Sequence, residues 1–93
     1  MEAFKQRHKR AVKAAVKYLS KPYGAYEVII LDGKVFHLEA IRVKEIRKIR
    51  IALDEITKED EKIVKEFKLP DICTKEIWCK KIKERTFEIR EII

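Results

Sequence analysis

Apolar residues near the start of the chain recur at helical spacing. At about 100° per residue, Phe4, Ala11, Val12, Ala15, Tyr18 and Leu19 fall on one face. Residues 4–20 therefore predict a helix, with Lys9, Arg10, Lys13, Lys17 and Lys21 on the opposite face. His8 projects toward the apolar side, where a buried or half-buried imidazole is expected. Ser20-Lys21-Pro22-Tyr23-Gly24 ends the helix, because Pro22 cannot continue it and Gly24 permits a turn.

The period then changes. Tyr26 to Leu31 is a β-branched apolar run, and Asp32-Gly33 separates it from a second run, Lys34 to Val43. Asp-Gly between two such runs predicts a hairpin turning at those two residues. A third strand is expected at about Arg47–Leu53, where Ile49, Ile51 and Leu53 alternate with Arg50 and Ala52. Thr57 has the features of an N-cap, followed by Lys58-Glu59-Asp60-Glu61 with acids in the first turn. Ile56, Ile63, Val64 and Phe67 form the apolar stripe of that second helix, and Leu69-Pro70 stops it.

The last segment has two readings. Ile77, Trp78 and Ile82, then Phe87, Ile89, Ile92 and Ile93, fit two strands joined near Lys83–Arg85. Trp78, Ile82, Ile89 and Ile92 also share a face at helical period. The alternation through Thr86-Phe87-Glu88-Ile89-Arg90 favours strands. The expected architecture is a small α+β domain spanning residues 1–93: an N-terminal helix, a β-hairpin plus short third strand, a second helix and two C-terminal strands.

Charge adds a second layer. The net charge is +7, and residues 1–21 carry Lys5, Arg7, Lys9, Arg10, Lys13, Lys17 and Lys21 against Glu2 alone. The remaining residues hold 16 basic and 15 acidic side chains. A merely solvated helix face normally interleaves Glu with Lys, because i,i+4 pairs of opposite charge stabilise it by a few tenths of a kcal/mol and like charges oppose it. This helix forgoes that stabilisation over several turns. An external polyanion accounts for the pattern, since each phosphate neutralised releases condensed counterions. Lys5, Lys9, Arg10, Lys13, Lys17 and Lys21 are therefore the candidate contacts to a DNA or RNA phosphate backbone. A membrane surface fits less well, because the apolar face is Ala-rich and lacks Trp.

Composition narrows the class. Apolar residues make up 46% of the chain, too many for a disordered one, and no run approaches the ~18 apolar residues that span a bilayer. Residues 1–7 show no apolar core of a signal peptide, so a cytoplasmic protein is expected. Cys73 and Cys79 cannot build a structural zinc site alone, and His8 and His37 lack ligand spacing, so reduced thiols and no metal are expected. The absence of Asn, the single Gln6 and the abundance of Ile, Lys and Glu match the bias of thermophilic, in particular archaeal, proteins.

The element order, with Asp32-Gly33-Lys34-Val35-Phe36-His37-Leu38-Glu39 and Arg50-Ile51-Ala52-Leu53-Asp54-Glu55, resembles the archaeal Holliday-junction-resolvase-like branch of the restriction-endonuclease-like, PD-(D/E)xK, nucleases. In that family an Asp opens the hairpin and a Glu-x-Lys on its second strand completes a site for a divalent cation. Here Glu27 stands where the Asp would be. Alignment on the Asp-Gly turn puts Ala40 and Arg42 at the Glu and Lys positions; a shift by one supplies Glu39 but puts Ile41 at the Lys position. Strand period is two, so the two registers cannot both serve. The resemblance thus implies a nuclease-like fold with a degenerate site whose remnants are Glu27, Glu39 and Arg42, with Lys44 a further candidate cation.

Three functional expectations follow. The leading one is a non-catalytic nucleic-acid-binding protein that needs no cofactor. The alternatives are a Mg-dependent nuclease with a non-standard site built from Glu27, Glu39 and Arg42 or Lys44, or a small interaction module whose basic helix docks an acidic protein. β-branched strands and the dimeric habit of resolvase-like proteins add the expectation of a homodimer.

Overall fold

A computed structural model describes residues 2–20, 25–31 and 33–93. Helix α1 spans Glu2–Leu19, and five strands follow: β1 Glu27–Ile30, β2 Leu38–Arg42, β3 Glu45–Leu53, β4 Cys73–Lys80 and β5 Phe87–Ile92. Helix α2, Lys58–Glu66, lies between β3 and β4. The strands form one sheet in the order β1-β2-β3-β4-β5. Every neighbouring pair is antiparallel except β3 and β4, which run parallel. A parallel pair requires a long crossover, and α2 supplies it. The α+β class and the element order agree with the sequence reading, including strands rather than a helix at the C-terminus.

Strand alternation divides the interior into two cores. On one face Ala11, Ala15 and Leu19 of α1 pack on Leu38, Ala40, Ile49, Ile51 and Trp78. Alanines at the contact let the helix axis approach the sheet, and Ala40 is small for the same reason. On the other face Val64 of α2 packs with Phe36, Ala52, Ile77 and Cys79. Cys73 and Cys79 are both free thiols; burial, the largest influence, pushes the Cys79 thiol above its ordinary range. Phe4 and Tyr18, expected on the apolar face of the helix, are 61% and 59% exposed. They lie toward the two ends of α1, and the Tyr18 ring meets Trp78 edge-on at 5.8 Å.

Helix α2 starts where local chemistry places it. The Thr57 hydroxyl accepts from the Asp60 N–H at 3.1 Å, and the Asp60 carboxylate accepts from the Thr57 N–H at 3.0 Å, a reciprocal capping box. The helix ends at Glu66, before Leu69-Pro70, because Phe67 is already extended. Lys75 Nζ donates to the carbonyls of Lys65 and Phe67 and so satisfies that end.

The first hairpin forms as the sequence predicts, with β1 antiparallel to β2, but its turn is wider than expected. Asp32 lies outside the described residues, but pairing of Ile30 with Leu38 shows that β1 and β2 are joined by a wider loop than a two-residue turn. β2 begins at Leu38 rather than Lys34 for two reasons. Phe36 is drawn into the α2-side core, where it meets Phe67 edge-on at 5.3 Å. Arg50 Nη1 donates to the carbonyls of Lys34 and Val35, each at 3.0 Å, which occupies acceptors a β-ladder would need. The tight turn lies instead at Val43-Lys44, between Arg42 and its partner Glu45. Lys44 takes a φ of 59° there. No Gly or Asn marks that turn, so β3 begins earlier than the alternation suggested.

One polar cluster is sealed inside the α1-side face. Glu76 is 5% exposed and accepts from Arg47 Nε at 2.7 Å and Nη2 at 2.6 Å, from Thr74 Oγ1 at 3.0 Å and from Trp78 Nε1 at 3.0 Å. Burial alone would raise this carboxyl, but the Arg47, Trp78 and Thr74 donors hold it below its ordinary value. Glu76→Ala is expected to destabilise the fold by about 3–5 kcal/mol, because it strands the Arg47 charge. The double change Arg47→Met with Glu76→Leu should cost far less. Urea midpoints at constant m distinguish the two outcomes, and equal losses would show that packing, not charge pairing, sets the cost.

Candidate nucleic-acid interface

The cations predicted to meet phosphate lie where the helical spacing puts them. Lys5, Lys9, Arg10, Lys13 and Lys17 are all exposed along α1. Among the described residues no carboxylate lies within ion-pair distance of any of these five; Arg7, which pairs with Asp54 at 2.8 Å, is the paired cation of the helix. Lys21 lies outside the described residues. The sheet is treated differently. Arg42 pairs with Glu45, Arg47 with Glu76, Lys48 with Glu39, Arg50 with Asp60 and Arg90 with Glu61 and Glu88. Cations that project from the strands are thus largely neutralised in place, while those of the helix face solvent.

Lys5, Lys9 and Lys13 form an i, i+4, i+8 row that lines one wall of an open groove of about 960 Å³. The groove runs between the first turns of α1, the end of β1, the C-terminal end of β3 and the start of α2. Its apolar lining comes from Val12, Ile30, Ile51 and Leu53, and its acids are Asp54, Glu55 and Asp60. Asp54 and Asp60 are already held by Arg7 and Arg50. These contacts keep both carboxyls below their ordinary range; Arg7 is the largest influence on Asp54, whereas at Asp60 burial opposes donation from Thr57 and Arg50. Among the groove's described cations, the three lysines are left without a counter-charge.

Two histidines from distant segments meet at the groove. The His8 and His37 rings lie 4.4 Å apart, edge to face, and both line it. Each is fixed by the backbone of one residue. The Ile51 N–H donates to His37 Nδ1 at 2.9 Å, and His8 Nε2 donates to the Ile51 carbonyl at 3.1 Å. An acceptor Nδ1 puts the proton of neutral His37 on Nε2. The imidazole thereby takes the place of a β2 carbonyl, just where β2 starts and the ladder to β3 gives out. Burial, then His8 and Arg50, push the His37 pKa down to about 4, with Asp60 opposing. Sequence spacing gave no hint of this pair, because its members are joined by topology alone.

The residues suggested by the nuclease resemblance are divided between the two faces of the sheet. Pairing of Glu27 with Ile41 and of Ile29 with Glu39 puts both glutamates on the α2 side of the sheet, as diagonal neighbours. Glu27 is exposed, whereas Glu39 is half-buried and tied to Lys48. Arg42 projects from the opposite face, where it bonds Glu45 and lies over the Tyr26 ring at 4.8 Å. Lys44 sits in the turn and is exposed. Among the described residues no group of three or more His, Cys, Asp or Glu is arranged to hold a metal. One exposed carboxylate and one neutralised by Lys48 do not fit a divalent cation, which needs several free oxygens. No helix among the described residues is long and apolar enough to cross a membrane.

No family model, curated protein or solved structure matches the chain.

The histidine geometry has a measurable consequence. A folded pKa near 4 lies below the unfolded value of about 6.5, so between these values the unfolded chain binds the extra proton. The stability contributed by neutral His37 is full above pH 6.5 and is lost as pH falls toward 4. His37→Gln should flatten this part of the stability–pH curve. In NMR titrations the His37 ring should remain the neutral Nε2–H form at pH 5; a midpoint at 6 or above would contradict the assignment.

Proposed function

We propose that this chain is a non-catalytic binder of the DNA or RNA phosphate backbone, which lies along the exposed face of α1. The observation that carries the reading is the contrast in charge pairing. Lys5, Lys9, Arg10, Lys13 and Lys17 follow one another along the helix with no carboxylate partner among the described residues, while strand cations such as Arg47, Lys48 and Arg50 are matched by carboxylates. Self-repulsion along a helix costs stability unless an external anion offsets it. A backbone phosphate series supplies repeating charge of the right sign, and counterion release drives the association. Lys21 extends the same face in sequence. Recognition of this kind positions a strand without reading base order, so weak sequence specificity is part of the proposal.

The commitment of Glu39 to Lys48, and the placement of Arg42 on the other side of the sheet, support binding without cleavage.

Affinity for a mixed-sequence polynucleotide should fall by roughly a hundredfold between 50 and 200 mM salt, as expected for about four phosphate contacts. Replacement of Lys9, Lys13 and Lys17 together by Glu should abolish binding and leave the far-UV circular dichroism unchanged, since all three are exposed. A flat salt response, or no binding at low salt, would remove the reading. Capture of an acidic protein that survives nuclease treatment would assign the helix to that partner instead.

A further inference from the structure

We propose that the groove beside α1 seats an unpaired base of a polynucleotide strand, so that the protein prefers single strands to duplex. This rests on the phosphate-binding reading and adds a base-dependent component to it. Three observations carry it. The groove is large, about 960 Å³, at the upper end of the ~300–1,000 Å³ usual for clefts that enclose small organic ligands. Its floor is apolar, built from Val12, Ile30, Ile51 and Leu53. Its wall is the lysine row at positions 5, 9 and 13.

The combination selects the ligand class. An apolar floor alone would accept any hydrophobic group, and a single lysine beside it would suit a fatty acid. Three lysines one helical turn apart, rising about 6 Å per step, provide charge well beyond a single carboxylate and suit a chain of anions. A polynucleotide strand satisfies both requirements, because its bases are flat, weakly polar and attached at regular intervals to phosphates. Duplex hides those bases within the stack, whereas a single strand can turn one aside while its phosphates stay on the helix.

Aromatic and polar groups sit where such a base would need them. Phe4 is 61% exposed at the groove and contributes nothing to the buried core, so its ring is free to stack. It lies nearly parallel to His8, at 19° and 6.2 Å between ring centroids, and His8 in turn meets His37. Aromatic side chains beside a cationic track are the recurring means of holding single strands, because every base has a π-face. For the edge of the base, neutral His37 offers its Nε2–H and Glu55 its carboxylate, neither of which has a side-chain partner among the described residues. Arg50, though it lines the groove, is committed to Asp60 and to the Lys34 and Val35 carbonyls.

The test compares three probes of equal length at one low salt concentration: an intact mixed-sequence single strand, a strand carrying sugar and phosphate without bases, and a duplex. The intact strand should bind roughly tenfold or more tightly than the abasic one. Phe4→Ala should shrink that ratio severalfold while affinity for the abasic strand holds. Equal affinities for intact and abasic strands would overturn the inference and leave phosphate binding standing; failure of all three probes to bind would remove both. Adenosine monophosphate should shift the His8 and His37 imidazole signals. A groove that responds to oleate and not to the nucleotide would overturn the base assignment.

Discussion

The fold turns on the joint between β3 and β4. It is the parallel seam of an otherwise antiparallel sheet, and both helices are placed with reference to it: α1 over one face, α2 as its crossover on the other. Parallel pairing is slightly weaker per residue than antiparallel pairing. Here a side-chain fork reinforces it, with Arg47 on β3 bonded through two nitrogens to Glu76 on β4. The guanidinium also lies over Tyr26, at 5.1 Å, and over Trp78, at 5.5 Å, while the Tyr26 hydroxyl donates to Glu45. Donation from Tyr26, against a smaller effect of burial, keeps the Glu45 carboxyl below its usual range. One half-buried guanidinium thereby connects β3, β4 and the approach to β1.

That arrangement explains why the surface charge is so unevenly resolved. Cations on β3 lie on both covered faces of the sheet, Arg47 on the α1 side and Lys48 and Arg50 on the α2 side, and a charge taken from water there is tolerated only with a partner. Each of Arg47, Lys48 and Arg50 has one. The outer face of α1 is under no such constraint, since its side chains never leave solvent. Pairing within the domain is thus required of the β3 cations and optional for the helix. Charge left over on the helix is what the protein can offer to something else.

Much of the architecture was legible in the chain because local chemistry and long-range packing agree. Ala11, Ala15 and Leu19 announce the buried side of α1, Thr57 and Asp60 announce the start of α2, and the alternation through Phe87 and Ile89 marks the last strand. The errors cluster where a distant residue overrides a local signal. Asp32-Gly33 points to a two-residue turn, but Phe36 has a core to fill and Arg50 claims the carbonyls before it. Val43-Lys44 carries no turn signature because the register between β2 and β3 imposes the turn. The cationic row was visible from spacing alone. The groove behind it was not, since His8, His37 and Ile51 come together only after the sheet has formed.

The meeting of those three residues gives the sheet an unusual boundary. Ordinarily a ladder stops when the backbone runs out of partners, and no single side chain decides its length. Here the rung at Ile51 is completed by an imidazole nitrogen, so the place where main-chain pairing ends is written into residue identity at position 37. A heritable change of one side chain could therefore redraw the margin of the sheet, and with it the rim of the adjoining cleft, without any alteration to the strands themselves.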